Sequence, residues 1–357
     1  MVHIRKGVLA YFDAQAYGDV VLPLRFVPFH ALDDTPNVIV DGSPSDATAL
    51  TLSHWPGAPT PPDLRDDLSA QIAFHALERR TLFDGVDVVS NNHFDQDGLA
   101  SAYALCQPAP ALARRDLVID LARAGDFGTF RSRDAARLAF AIAAMEDPDR
   151  TTLDASVLDG SYPVVCGRLY EEVLPRLTEA LDHPDMWRSL WVDEDAHLEE
   201  SLGAVASGTV RIEERPDLDL AIVTVPEPWA DRVVSRFTQL RADALHPMAI
   251  NQSTPMFRVL TMRGRRYRIE CRYETWVMLT SRPTMPRPDL RQLATILDES
   301  EPGDTRWSAS SPGALTPILA SVGDADSGLA PEAFRTIVES FLATAEPAWD
   351  PFDGAPR

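Results

Sequence analysis

The sequence predicts an α/β protein: an N-terminal domain on a mostly parallel sheet, a helical connector, and a second, smaller α+β domain. Three observations carry this. Short apolar runs alternate with helical periodicity early in the chain, a long middle stretch is helical throughout, and strand-like runs return towards the C-terminus. At 357 residues the chain is also too long for one ordinary core.

In chain order, LRFVPF (24–29), NVIVDGSP (37–44) and TALTLSHWPG (48–57) read as strands that feed the amphipathic stretch DLRDDLSAQIAFHALERR (63–80). VDVVSNNHFDQDG (86–98) reads as a further strand and turn, eased by Gly98, with a helix beginning near Leu99. From about Arg114 to Leu202 the pattern is helical, as in RDAARLAFAIAAM, and forms the connector. A change of character near residue 205 divides the chain into domains 1–204 and 205–357. In the second, MFRVLTMRG and RRYRIECRYETW form a hairpin turning at Gly264. Its alternation puts Arg266, Arg268, Glu270, Arg272 and Glu274 on one face and Tyr267, Ile269, Cys271 and Tyr273 on the other. Two helices follow, RPDLRQLATILDES and PEAFRTIVESFLATAE, before a turn-rich tail. The proline-dense HWPGAPTPPDL is expected to form a stiff surface loop that overhangs a site.

Composition narrows the function. A hydrophobic fraction of 45% and a charged fraction of 24% are those of a globular chain. No run is apolar enough to span a membrane, and the N-terminus reaches Asp13 before a signal-peptide core can form, so the expected location is the cytoplasm. Cys106, Cys166 and Cys271 lack CxxC spacing, which disfavours a disulfide framework and a cysteine zinc site. A net charge of -21 repels phosphate backbones and argues against general binding of duplex nucleic acid. Dinucleotide, P-loop, HExxH and GxSxG templates are absent.

The chemistry points to His93, Asp95 and Asp97. They lie two residues apart, so an extended chain beyond VDVVSNN projects all three to one face. An imidazole and two carboxylates suit a divalent cation, and a shared carboxylate can bridge two. The run also falls beyond a strand's carboxyl end, where open α/β sheets place their sites. A plainer reading makes Asp97 the N-cap of the helix near Leu99.

NNHFDQDGLASAYAL resembles the first motif of the DHH phosphoesterase superfamily, a strand ending in a His, Asp, Asp run before a small-residue helix start. The resemblance implies that His93, Asp95 and Asp97 bind paired manganese ions, with magnesium or zinc as alternatives and one or two ions in place. It also implies hydrolysis of a phosphoester, with a second, smaller domain closing over a small anionic or phosphorylated substrate. The superfamily's Asp-His-His triplet does not occur here. VIVDGSP is a looser echo, with Asp41 at a strand end and a helix, DLSAQIAFHALE, after it.

His54, between a strand-like run and the proline-rich loop, is a fourth candidate ligand, although a histidine packed on Trp55 or bonded to a loop carbonyl needs no metal. Asp126, at a helix end in ARAGDFG, is a further one, with Asp120 less well placed. Asp97 and His54 are the expected catalytic residues. Arg282 and Arg287, on a loop after a strand, and His246, in HPMAINQST, are expected to contact an anionic substrate. The resulting expectation is a divalent-metal-dependent hydrolase of the DHH-like type. A silent DHH-like binding or scaffolding protein and a metal-dependent amidase or deacetylase are the alternatives.

Overall fold

A computed structural model describes residues 23–352 apart from 228, 237 and 238. The N-terminal stretch through Asp13 and the end of the tail lie outside the described residues. The β-branched runs of the first segment form β1 (Arg25–Phe26), β2 (Asn37–Val40), β3 (Thr48–Leu52) and β4 (Val88–Ser90). All pair in parallel, in the order β1-β4-β2-β3. Every side chain of β2 is buried, as a sheet covered on both faces requires. Val38, Val40 and Val89 join the main core, while Ile39 and Val88 pack with Leu32 on the opposite face.

Helix α1 (Ser69–Leu77) crosses from β3 to β4, and α2 (Gln96–Cys106) follows β4. The chain continues through α3 (Pro108–Ala113), α4 (Arg115–Asp126), α5 (Arg133–Met145), α6 (Tyr162–Val173), α7 (Leu177–Asp182) and α8 (Arg188–Ala206). These are the expected connector helices, and they do more than connect. Helix α2 packs between α1 and α4, α4 packs on α5, and α5 on α8, so they extend the sheet's own core.

Beyond them come β5 (Arg211–Arg215), β6 (Leu220–Val225), β7 (Arg232–Arg236), β8 (Gln239–Asp243) and α9 (Pro247–Ser253). Strands β9 (Arg258–Arg263) and β10 (Arg266–Cys271) form the expected hairpin, with Gly264 at φ 56°. The rest is β11 (Arg287–Pro288), α10 (Leu290–Ser300), β12 (Trp307–Ala309), β13 (Ile318–Ser321), α11 (Pro331–Thr344) and β14 (Pro347–Trp349). The second sheet is mixed, ordered β12-β13-β10-β9-β6-β5, with β6 and β9 parallel. Leu220, Leu260 and Ile269 pack with Leu293 of α10 and Phe334 of α11 in a separate core. Met248, Phe257, Tyr273 and Val277, by contrast, belong to the core of the first sheet.

The alternation expected across 266–274 holds to Cys271 and then stops, because the strand ends and a short 3₁₀ turn covers Tyr273–Thr275. Arg272 and Glu274 are consequently buried and paired with each other. Cys106, Cys166 and Cys271 are free thiols. Among the described residues no helix is long and apolar enough to cross a membrane.

Candidate metal centre

Parallel strands end on the same side, so the loops after β2, β3 and β4 converge on one edge of the sheet. Asp41 follows β2, His54 lies just past β3, and His93 lies past β4. Because β2 stands between β4 and β3, Asp41 stands between the two histidines. Its Oδ1 is 3.3 Å from His54 Nε2 and its Oδ2 is 3.3 Å from His93 Nε2. Asp41 reaches this position at φ 45°, a left-handed conformation that aspartate tolerates better than most residues.

Two groups of donors share Asp41. The inner group is Asp41, His54 and Asp97, joined by Asp126 Oδ2 at 3.4 Å from His54 Nε2. The outer group is Asp41, His93 and Asp95, with Asp95 Oδ2 at 3.0 Å from His93 Nε2. The run is therefore split rather than presented on one face. The strand stops at Ser90 and α2 begins at Gln96, so a period of two does not apply across Asp95 and Asp97. Asp95 is the N-cap of α2, accepting from the Gly98 amide at 2.8 Å. Asp97, the cap on the plainer reading, instead accepts from the amides of Ser69 and Ala70 at the start of α1, both at 2.7 Å.

Both histidines are oriented for ligation. His54 Nδ1 lies 2.6 Å from the Asp67 carbonyl oxygen, so Nδ1 carries the proton and Nε2 faces the carboxylates. His93 Nδ1 lies 3.2 Å from Asn92 Oδ1, again leaving Nε2 for the carboxylates. The carbonyl bond offered as the alternative role for His54 thus orients it towards the cluster. Ser69 is a residue that sequence reasoning missed. Its hydroxyl donates to Asp41 Oδ1 at 2.7 Å and accepts from the His54 amide at 3.1 Å. The only signal was its place at the head of the helix after the Asp41 segment.

Four carboxylates and two imidazoles are an expensive set to bury without a cation. Asp41, His54, Asp97 and Asp126 are at most 1% exposed. Burial works against charge on His54, but Asp41 and Asp97 outweigh it and lift its pKa to about 9. His93 stands well above its usual value, Asp95 and Asp41 outweighing burial. Asp41 is held well below the usual carboxylate range, because its bonds to His54 and His93 overcome the effect of burial. Burial, then Asp41, push the Asp97 carboxyl up to about 8. Protons do the work that a divalent cation would do.

The donor set fits such ions. Nitrogen and oxygen ligands on a shell of about 2.0–2.2 Å lie roughly 3–3.5 Å from one another. The separations from His54 Nε2 are 3.3, 3.4 and 3.8 Å to Asp41, Asp126 and Asp97, and those from His93 Nε2 are 3.0 and 3.3 Å.

The chain matches, over residues 22–353, the model of a family of unknown function, DUF6687. It belongs to that family. No curated protein and no solved structure matches this DUF6687 chain.

In the DUF6687 chain, a cavity of about 470 Å³ opens beside the outer group and is lined by His93 and Asp95 but not by His54 or Asp97. Those two, expected to be catalytic, sit behind the cavity wall as inner donors. The proline-rich loop is more tightly packed than a surface loop, Thr60 bonding to Ser53, and Trp55 is its contribution to the cavity. Of the three substrate-contact candidates, His246 lines the cavity. Arg287 does not. It is 1% exposed and donates to the carbonyls of Pro312, Ala314 and Leu315 and to the Thr275 hydroxyl. Arg282 pairs with Asp219 at 3.0 Å and covers the Phe257 ring, also outside the cavity lining. An arginine after a strand satisfies loop carbonyls as readily as it binds an anion, and position alone does not separate the two roles. Asp120 holds the amides of Arg131 and Ser132, away from the cluster.

Proposed function

We propose that this protein is a divalent-metal-dependent hydrolase of the DHH-like type, acting on a phosphoester. One observation carries the reading: Asp41 stands between His54 and His93 with one carboxylate oxygen turned to each. That is the arrangement of a carboxylate shared by two ions. His54, Asp41, Asp97 and Asp126 would hold an inner ion, and His93, Asp41 and Asp95 an outer one. Manganese suits the mixed imidazole and carboxylate donors, with magnesium and zinc as alternatives. Bound ions would supply charge against the phosphoryl oxygens and lower the pKa of a water.

The chain's own residues organise the reaction. The α1 amides anchor Asp97, the Asp67 carbonyl orients His54, and Asp95 caps α2 while turning its other oxygen to His93. His93 and Asp95 border the cavity, so the scissile phosphorus belongs at that edge. Water adds to phosphorus, the bond to the substrate's alcohol oxygen breaks, and the alcohol leaves with a proton from the water. The convergence of His54, Asp41 and Asp126 on the first motif favours this enzyme over a silent binding module.

Metal content and hydrolysis of bis(p-nitrophenyl) phosphate test the reading together. The manganese-loaded protein is expected to retain metal through gel filtration and to release nitrophenol. His93→Ala, a half-buried position, is expected to lose the outer ion and the activity while remaining folded. Protein that takes up no manganese, zinc or magnesium, or full activity in His93→Ala, would overturn the reading.

A further inference from the structure

The cavity beside the outer donor group has a chemistry of its own. Its volume of about 470 Å³ lies within the range of small-molecule sites. Trp55, Phe94, Phe140, Val165 and Leu169 supply an apolar wall. Its lining is rich in carboxyl groups, and among the described residues no arginine or lysine lines it. Two of its carboxylates are already matched, Glu194 by Arg150 at 2.9 Å and Asp243 by Arg268 at 2.6 Å. Glu146 and Asp147 have no ion-pair partner among the described residues, Asp147 Oδ1 accepting from the Asp149 amide at 3.0 Å. They follow α5 directly, at the negative end of its dipole.

His246 gives a second, independent sign of a ligand. It is 2% exposed, and its Nδ1 accepts from the Met248 amide at 3.1 Å, so the neutral ring carries its proton on Nε2. That Nε2 meets no hydrogen-bond partner, Glu194 Oε1 standing 3.7 Å away. A buried donor on a cavity wall is matched when a ligand oxygen occupies the space.

We infer that this cavity binds an amphipathic organic cation: an apolar body against the aromatic wall, a protonated amine at Glu146 and Asp147, and an oxygen at His246. Resting on the hydrolase reading, this makes the substrate a phosphoester of an amino-bearing, largely apolar alcohol, whose phosphoryl charge is met at the metal centre. Among the described residues no arginine or lysine lines the cavity to meet a polyanionic substrate.

Three isosteres differing in charge test this: 4-phenylbutylamine, 4-phenylbutanol and 4-phenylbutyrate. Each is titrated by calorimetry into the full chain, metal-free and manganese-loaded, with manganese content measured on the same samples. The amine is expected to bind at least about tenfold more tightly than the alcohol in both forms. In the metal-free form the carboxylate is expected to bind more weakly than either. In Glu146→Gln/Asp147→Asn the amine should fall to within about threefold of the alcohol, whose own affinity is unchanged. Equal binding of amine and alcohol, or an amine preference that survives in the variant, would overturn the inference. If the variant does not fold, the ratio in the parent chain decides. An amine preference without metal uptake keeps the cation site and removes the hydrolase. Metal uptake without an amine preference removes the cation site alone.

Discussion

The backbone amide of Ser69 donates to Asp97 Oδ2 at 2.7 Å, tying the start of α1 to the first turn of α2. The positive end of the α1 dipole thereby faces the most deeply buried carboxylate of the cluster. The Ser69 hydroxyl then reaches Asp41, so one residue supports two donors.

Ser69→Ala separates these roles, since it keeps the amide and removes the hydroxyl. Asp41 loses a buried donor and the His54 amide an acceptor, which destabilises the fold by about 1–3 kcal/mol. Manganese affinity is expected to fall by about 10–100-fold, as for other residues that orient ligands. Calorimetric titration checks this; unchanged affinity would reduce Ser69 to a helix start.

The cluster's pKa values set a pH dependence with a definite sign. His54 rises from an ordinary 6.5 to about 9 in the folded metal-free protein. The stability this contributes is complete below pH 6.5 and is lost as pH rises through 9, on the order of 3 kcal/mol. Asp97, raised from 3.8 to about 8, has the same sign between those values, because the folded state holds the extra proton. On the proposed reading manganese displaces these protons, so it is expected to bind more tightly as pH rises. Thermal melts should show the metal-free Tm falling from pH 6.5 to 9 while the rise in Tm caused by manganese grows. A flat metal-free profile with a constant manganese effect would contradict the assignment.

Gly98 is required for space rather than for turn geometry. A Cβ there would lie 2.2 Å from Asn91 Nδ2 and 2.6 Å from the Tyr170 hydroxyl. Alanine's helix preference offers about 1 kcal/mol, against an overpacking cost of about 1–3 kcal/mol. Asn91 also accepts from the His93 amide at 3.0 Å, so displacing it shifts His93. Gly98→Ala is expected to lower both stability to denaturant and manganese affinity; a stabilised variant would show that the helix tolerates the methyl group.

Arg287→Met tests a structural arginine. Losing it strands the buried Pro312 carbonyl and Thr275 hydroxyl and removes the donor to the carbonyls of Ala314 and Leu315, which are nearer the surface. A loss of about 3 kcal/mol or more is expected, with manganese stoichiometry unchanged. A stable variant whose only defect is a raised KM would instead return Arg287 to the substrate.

Local pattern was enough to locate the strands of the first sheet, the hairpin at Gly264 and the His93, Asp95, Asp97 run, because strand and helix periodicity and turn chemistry act over a few residues; β7, β8, β12 and β13 carry no such signal. The α/β class followed from their order along the chain. Which side each candidate ligand faces was decided by tertiary structure. The order β4-β2-β3 departs from chain order, and that departure puts Asp41 between His93 and His54. The early end of β4 sends Asp97 inward and leaves Asp95 at the cavity, a division that residue spacing does not encode. The roles of Arg287 and Glu146 were equally hidden, since each depends on which partners long-range packing supplies: carbonyls for the arginine, and no ion-pair partner among the described residues for the glutamate.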